Sequence, residues 1–145
     1  MANEVQAADR ALYEALTGDA AVSGLVGARV YASVAPQGAQ VPYILFHRQG
    51  GLDRVNVGAD RVTVSRPVYQ VRAVTQSDGY AAADEIADVL DAALMGMQRS
   101  VTIRGQLYRV TATYRQEPVR LADVSNGVQW RSVGGIYRVV VQRLP

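Results

Sequence analysis

The sequence predicts an α+β fold: a mainly antiparallel sheet with its helices packed on one face, in a single compact domain over residues 1–145. Three observations predict it. Apolar residues recur at helical spacing over residues 3–26 and 78–95, and at a spacing of two over most of the remainder. Each helical segment has one good apolar face, and collecting the helices on one side of a sheet is the economical way to bury those faces. The length is near the commonest domain size, and half of the residues are hydrophobic, enough for a core without disulfide or metal staples.

Taken in chain order, Asn3 with Gln6 resembles a capping box, and Val5, Ala8, Leu12, Ala15 and Leu16 form one helical stripe closed by Gly18. Asp19 is placed to cap a short second helix carrying Val22, Leu25 and Val26, which stops at Gly27. Val30-Tyr31 reads as a short strand, 36–42 as a loop, and Tyr43 to Arg48 as a second strand ended by Gly50-Gly51. A polar loop over 51–60 is expected from its turn formers Asn56, Gly58 and Asp60. Residues 62–75 are strand-like, but apolar residues change from even to odd positions after Val64. A bulge or break at Ser65-Arg66-Pro67 would explain the change.

The clearest helix runs from about Asp78 to Met95, capped by Ser77 or Asp78 and ended by Gly96. Ile86, Val89, Leu90, Ala93 and Leu94 form its apolar side, and Asp84, Glu85, Asp88 and Asp91 its acidic side. Two strands follow, 100–104 and 107–116, joined at Gly105-Gln106. In the second, Tyr108, Val110, Ala112 and Tyr114 fall on one face and Arg109, Thr111, Thr113 and Arg115 on the other. A loop over 117–127 then leads to a last strand with Trp130 and Tyr137 to Val141, with a bulge expected at Gly134-Gly135.

Composition excludes several classes. There is no cysteine, hence no disulfide framework and no thiolate metal site. No run of about 18 apolar residues could cross a membrane as a helix, and the start of the chain lacks the pattern of a signal peptide, which points to a cytosol. All fifteen basic residues are Arg. Residues 1–94 hold seven Arg and eleven acids, whereas 95–145 hold eight Arg and two acids. That polarity suits head-to-tail packing of identical subunits, and it also suits contact with nucleic acid.

Candidates for catalysis are few. His47 is the sole histidine and alternates with Tyr43 and Leu45, as a structural strand residue would. No glycine-flanked nucleophile and no glycine-rich phosphate loop occurs. The acidic row Asp84, Asp88, Asp91 has three roles open to it: a divalent-metal or acid–base site of a small enzyme, a solvated helix face, or a surface neutralised by arginines of a neighbouring subunit. Arg109, Arg115, Arg131 and Arg138 are placed to share a sheet face or rim, where non-specific contact with passing DNA is open to them. The long helix is acidic and unsuited to reading DNA.

Four stretches carry a family resemblance: Ala11 to Asp19; Leu25-Val26-Gly27-Ala28-Arg29-Val30-Tyr31; Ala35-Pro36-Gln37-Gly38-Ala39; and Val41-Pro42-Tyr43-Ile44. Together they resemble the tail-completion (tail-terminator) proteins of long-tailed bacteriophages, prophages and gene transfer agents. The ending Gly135 to Val141 is similar to that family's final strand. The resemblance implies a structural virion protein with no cofactor and no catalytic residue. It would form a ring of six copies at the head-proximal end of the tail, binding the tail tube protein and the head connector or stopper protein. A head-completion, connector-stopper or other minor tail protein is the alternative. On this basis Asp84, Asp88, Asp91, Arg109 and Arg115 are candidate subunit-interface residues. Arg54, Asn56, Asp60, Arg61, Arg120 and Asp123 are candidate tube or connector contacts, carried by loops 50–61 and 117–128. Arg131 and Arg138 are candidate channel-lining residues.

Overall fold

The computed structural model describes residues 3–55 and 62–145. Along the chain come α1 (Asn3–Thr17), α2 (Ala20–Val26), β1 (Val30–Ala32), β2 (Tyr43–Val55), β3 (Val62–Gln76), α3 (Ala81–Leu94), β4 (Arg99–Ile103), β5 (Gln106–Ser125) and β6 (Val128–Arg143). The strands form one sheet in the order β1-β2-β3-β6-β5-β4. Among the described residues only the β1–β2 pair is parallel, so the sheet is mainly antiparallel as the pattern predicts. It curls into a half-barrel with the helices against one face.

The helices form where the apolar stripes lie. Ala8, Leu12, Ala15 and Leu16 of α1 and Ile86, Leu90 and Leu94 of α3 are buried against Phe46, Tyr69, Val71, Tyr137 and Val139 of the sheet. Each large apolar side chain so covered contributes about 1.5–3 kcal/mol. Asp19 caps α2, its Oδ1 accepting from the Val22 amide at 3.0 Å, as expected. The other two expected caps do not form. Asn3 already lies within α1, and its Oδ1 accepts from Arg104 Nη1 at 3.0 Å. α3 begins only at Ala81 after Tyr80, which makes no side-chain cap bond, while Ser77 Oγ accepts from the Gly79 amide in the preceding turn.

The strands depart further from expectation. β2 does not end at Gly50-Gly51 but runs on to Val55, so 51–55 is strand rather than loop. Gly51 lies opposite Pro67, where a Cβ would come within 2.7 Å of the proline Cα; close approach, not a turn, requires the glycine there. β3 is unbroken across Ser65-Arg66-Pro67, and its register with β6 is constant. Its inward face simply includes the buried Ser65 and Pro67 at positions where apolar residues were expected. The compensating irregularity sits on β2, between Arg48 and Gly50.

Gly134-Gly135 is likewise no bulge. A Cβ on Gly134 would lie 1.9 Å from the Val71 carbonyl oxygen, and one on Gly135 would lie 2.6 Å from Arg115 Cδ. The bulges are on β5, at Thr111 and Gln116. The first turns Thr113 into the core and Tyr114 outward, reversing the alternation expected from Tyr108 onward. The expected loop 117–127 is also strand. β5 continues to Ser125 and returns as β6 through the two-residue turn Asn126-Gly127, both at positive φ, the type I′ geometry of tight hairpins.

Candidate functional site

The acidic side of α3 faces the ribbon made by β5 and β6. Arg120 Nη2 lies 2.7 Å from Asp84 Oδ1, and Arg115 Nη1 lies 3.6 Å from Asp91 Oδ1. The Arg120 guanidinium also stands 4.3 Å from the centroid of the Tyr80 ring, with that of Arg131 5.5 Å from the same ring. Two of the three row carboxylates are therefore neutralised within the subunit. Asp88, exposed between them, makes no ion pair among the described residues, and it lines a 350 Å³ cleft with Arg115, Arg120 and Tyr137.

Asp91 also accepts a 2.5 Å hydrogen bond from the Tyr137 hydroxyl. Burial first, then that bond, pushes the Tyr137 hydroxyl well above the ordinary phenol range. The same device recurs one strand away. Tyr69, directly paired with Tyr137, donates to Asp9 of α1. Burial raises Asp9 above the ordinary carboxylate value, opposed by the Tyr69 bond and by the field of Arg48. Among the described residues no group of three or more His, Asp or Glu is placed to hold a metal ion.

The arginines do not share one face. The Thr111 bulge separates Arg109 from Arg115. Arg109 donates to Ser100 Oγ at 3.0 Å on the open face of the sheet, whereas Arg115 points to α3. Arg131 and Arg138 are seven residues apart on an unbulged strand and so lie on opposite faces. Arg131 is tied to the carbonyls of Asp78 and Trp130 and to Gln129. Arg138, on the open face, reaches the Gln116 carboxamide at 3.3 Å when that amide is oriented with its oxygen toward the guanidinium. Arg120 and Asp123 sit on β5 rather than in a loop. Arg54 sits on β2, paired with Val64, and Asn56, Asp60 and Arg61 lie outside the described residues.

Sequence reasoning missed the ribbon itself, although Asn126-Gly127 between alternating strands is its signature. It also missed both Tyr–Asp pairs, which join segments far apart in the chain and leave no local signal.

The outer edge of β5 changes character along its length. β4 pairs with Gln106–Val110, and the chain at Met95–Gln98 bonds to Thr111, Thr113 and Arg115. Beyond Glu117, β5 pairs among the described residues with β6 alone, and Leu121, Val124 and Val128 are exposed. An uncovered apolar edge of this kind is a template for another chain.

Residues 10–131 match the family model described as "Tail completion protein gp17". No curated protein matches the chain. Among solved structures, a chain from the "Virion of native gene transfer agent (GTA) particle" is similar, with a TM-score of 0.73 and 19% identity, covering 98% of this chain and 99% of that one. A second solved chain is similar at TM-score 0.53 and 14% identity, covering 100% and 97%.

Proposed function

The chain belongs to the tail completion protein gp17 family, whose members are structural proteins of the virion tail, and from that premise we propose that it closes into a ring that caps the tail tube. The ring, of six copies, stops tube polymerisation and offers its other side to the head connector or stopper protein. The chemistry asked of such a cap is surface complementarity, and we assign the chain no catalytic role.

The uncovered edge of β5 carries this reading. β5 runs antiparallel to β2, and the two lie toward opposite ends of the sheet order. One rotation, repeated, therefore lays the β5 edge of each copy beside the β1–β2 end of the next with strands antiparallel. That is a heterologous contact able to close a ring. Leu121 and Val124 supply its apolar part, and Arg120 and Asp123 lie on the same ribbon. Arg109 and Arg138, on the open face, are the arginines we place toward passing DNA; Arg131, tied to the start of α3, serves the ribbon instead.

Electron microscopy of particles made without this gene tests the proposal. Overlong tubes beside tailless, DNA-filled heads are expected. Leaking heads with free tails of normal length would move the protein to head completion, and intact particles would overturn both roles.

A further inference from the structure

On the face of the sheet away from the helices, Arg72 is a largely covered cation with no counter-charge among the described residues. Its Nη1 donates to Ser132 Oγ at 3.0 Å, and Ser132 is buried. Its Nε is buried and has no hydrogen-bond partner among the described residues. Among the described residues no carboxylate lies within 4.0 Å of it, in contrast to Arg99, Arg115 and Arg120, which are paired with Glu14, Asp91 and Asp84. A guanidinium partly withdrawn from water and holding unused donors is costly unless something completes it.

Arg72 opens into a groove of about 520 Å³, walled by Tyr43, Val74, Leu121 and Trp130. A second hollow of about 420 Å³, edged by residues 35–39, shares Tyr43 and Trp130 with the first. The two make one trough, long and apolar, with the charge toward one side. Asp123 also lines it but cannot serve Arg72. Its partner Trp130 pairs with Gln76, four residues along β3 from Arg72, on the order of 13 Å away. Its Oδ1 already accepts from the Val124 amide at 2.9 Å.

We infer that this trough is a docking groove for an extended segment of another protein, carrying an acidic side chain flanked by apolar residues. The carboxylate meets the Arg72 guanidinium, where a charge-assisted bond is stronger than a neutral one. The flanking residues lie against Tyr43, Trp130 and Leu121, which is why a peptide fits and a bare anion does not. The groove lies on the open face and shares Leu121 with the edge proposed to join one copy to the next; the preference for Glu over Gln at Arg72 is read separately from ring formation.

The test uses the ¹⁵N-labelled full chain and three probes: acetyl-Leu-Glu-Val-amide, acetyl-Leu-Gln-Val-amide and acetate. The Glu peptide should move the Arg72 Nε–H and Trp130 indole N–H resonances saturably, with Kd on the order of 1 mM. The Gln peptide should bind about tenfold more weakly, and acetate should saturate neither resonance. In Arg72→Gln the preference for Glu over Gln should vanish, whereas Trp130→Ala should weaken both peptides alike. Equal affinity of the two peptides, acetate binding as well as the Glu peptide, or no saturable shift by about 10 mM peptide would overturn the inference. The wild-type comparison decides the matter even if Arg72→Gln does not fold.

Discussion

β6 spends its two halves in different surroundings. From Gly134 to Tyr137, and at Val139 and Val141, it is buried, with Tyr137, Val139 and Val141 packed in the core with α1 and α3; from Val128 to Arg131 it forms one side of an exposed ribbon. β5 divides in the same way, with Tyr108, Val110 and Thr113 buried and most of 117–125 exposed. Pairing between β5 and β6 runs through both regions, interrupted only by the bulges at Thr111 and Gln116. Pairing therefore does not distinguish them; cover does. The inner half draws stability from buried apolar area, and the outer half is left with side chains free to meet another molecule.

The largest expected effect follows directly. Leu90→Ala, in the fully covered region, should cost about 2–5 kcal/mol of stability. Leu121→Ala, half-exposed on the ribbon, should cost less than about 0.5 kcal/mol. Urea denaturation of the two variants measures both. Similar losses would mean that the ribbon packs within the subunit as tightly as the core does, and the comparison would break.

The paired tyrosines sharpen it at intermediate scale. Both donate to a helix carboxylate, but Asp91 keeps Arg115 at 3.6 Å when Tyr137 is removed. Asp9 has Arg48 only as a more distant field, not as an ion pair among the described residues. Tyr69→Phe should therefore destabilise more than Tyr137→Phe, by about 1 kcal/mol. The pH dependence has a defined sign. Because burial raises Asp9 above 3.8, the folded chain holds this proton more tightly than the unfolded chain does. Its contribution to stability is thus greatest at low pH, and declines as pH rises from the ordinary carboxylate value through the raised one. Asp9→Asn should abolish that decline. Tyr69→Phe, which removes a bond favouring the carboxylate, should move Asp9 higher still, measurable from its ¹³C carboxyl shift.

These contrasts explain what the sequence could and could not convey. Local signals were sound: the stripes of α1 and α3, the Asp19 cap and the strand–helix order are properties of neighbouring residues. The face assignments on β5 failed because Thr111 bulges, and a bulge is decided by the partner strand. Gly134-Gly135 and Pro67 read as breaks in the sequence, yet they are places where two backbones come close or a ladder bond is dispensed with. The acidic row was visible, but its partners were not. Arg115 and Arg120 reach it from β5, a strand placed beside α3 by its pairing with β6 and its bonds to the Met95–Gln98 segment.

The smallest expected effect on stability separates the acidic row's two remaining meanings. Asp84 and Asp91 are already paired within the subunit, so only Asp88 is free to meet an arginine of a neighbour. Asp88→Arg removes no internal ion pair and, at an exposed helix position, should change stability by no more than about 0.5 kcal/mol. It does place a third cation beside the cleft where Arg115 and Arg120 stand, a repulsion worth a few tenths of a kcal/mol at most across a solvated surface. Any large effect must then arise between subunits. If the row faces a neighbour, the purified variant should keep its melting temperature yet fail to form closed rings, as read by native mass spectrometry. If it forms them normally, the row belongs to the subunit alone. The ribbon edge at Leu121 and Val124 would then be left as the surface that joins one copy to the next.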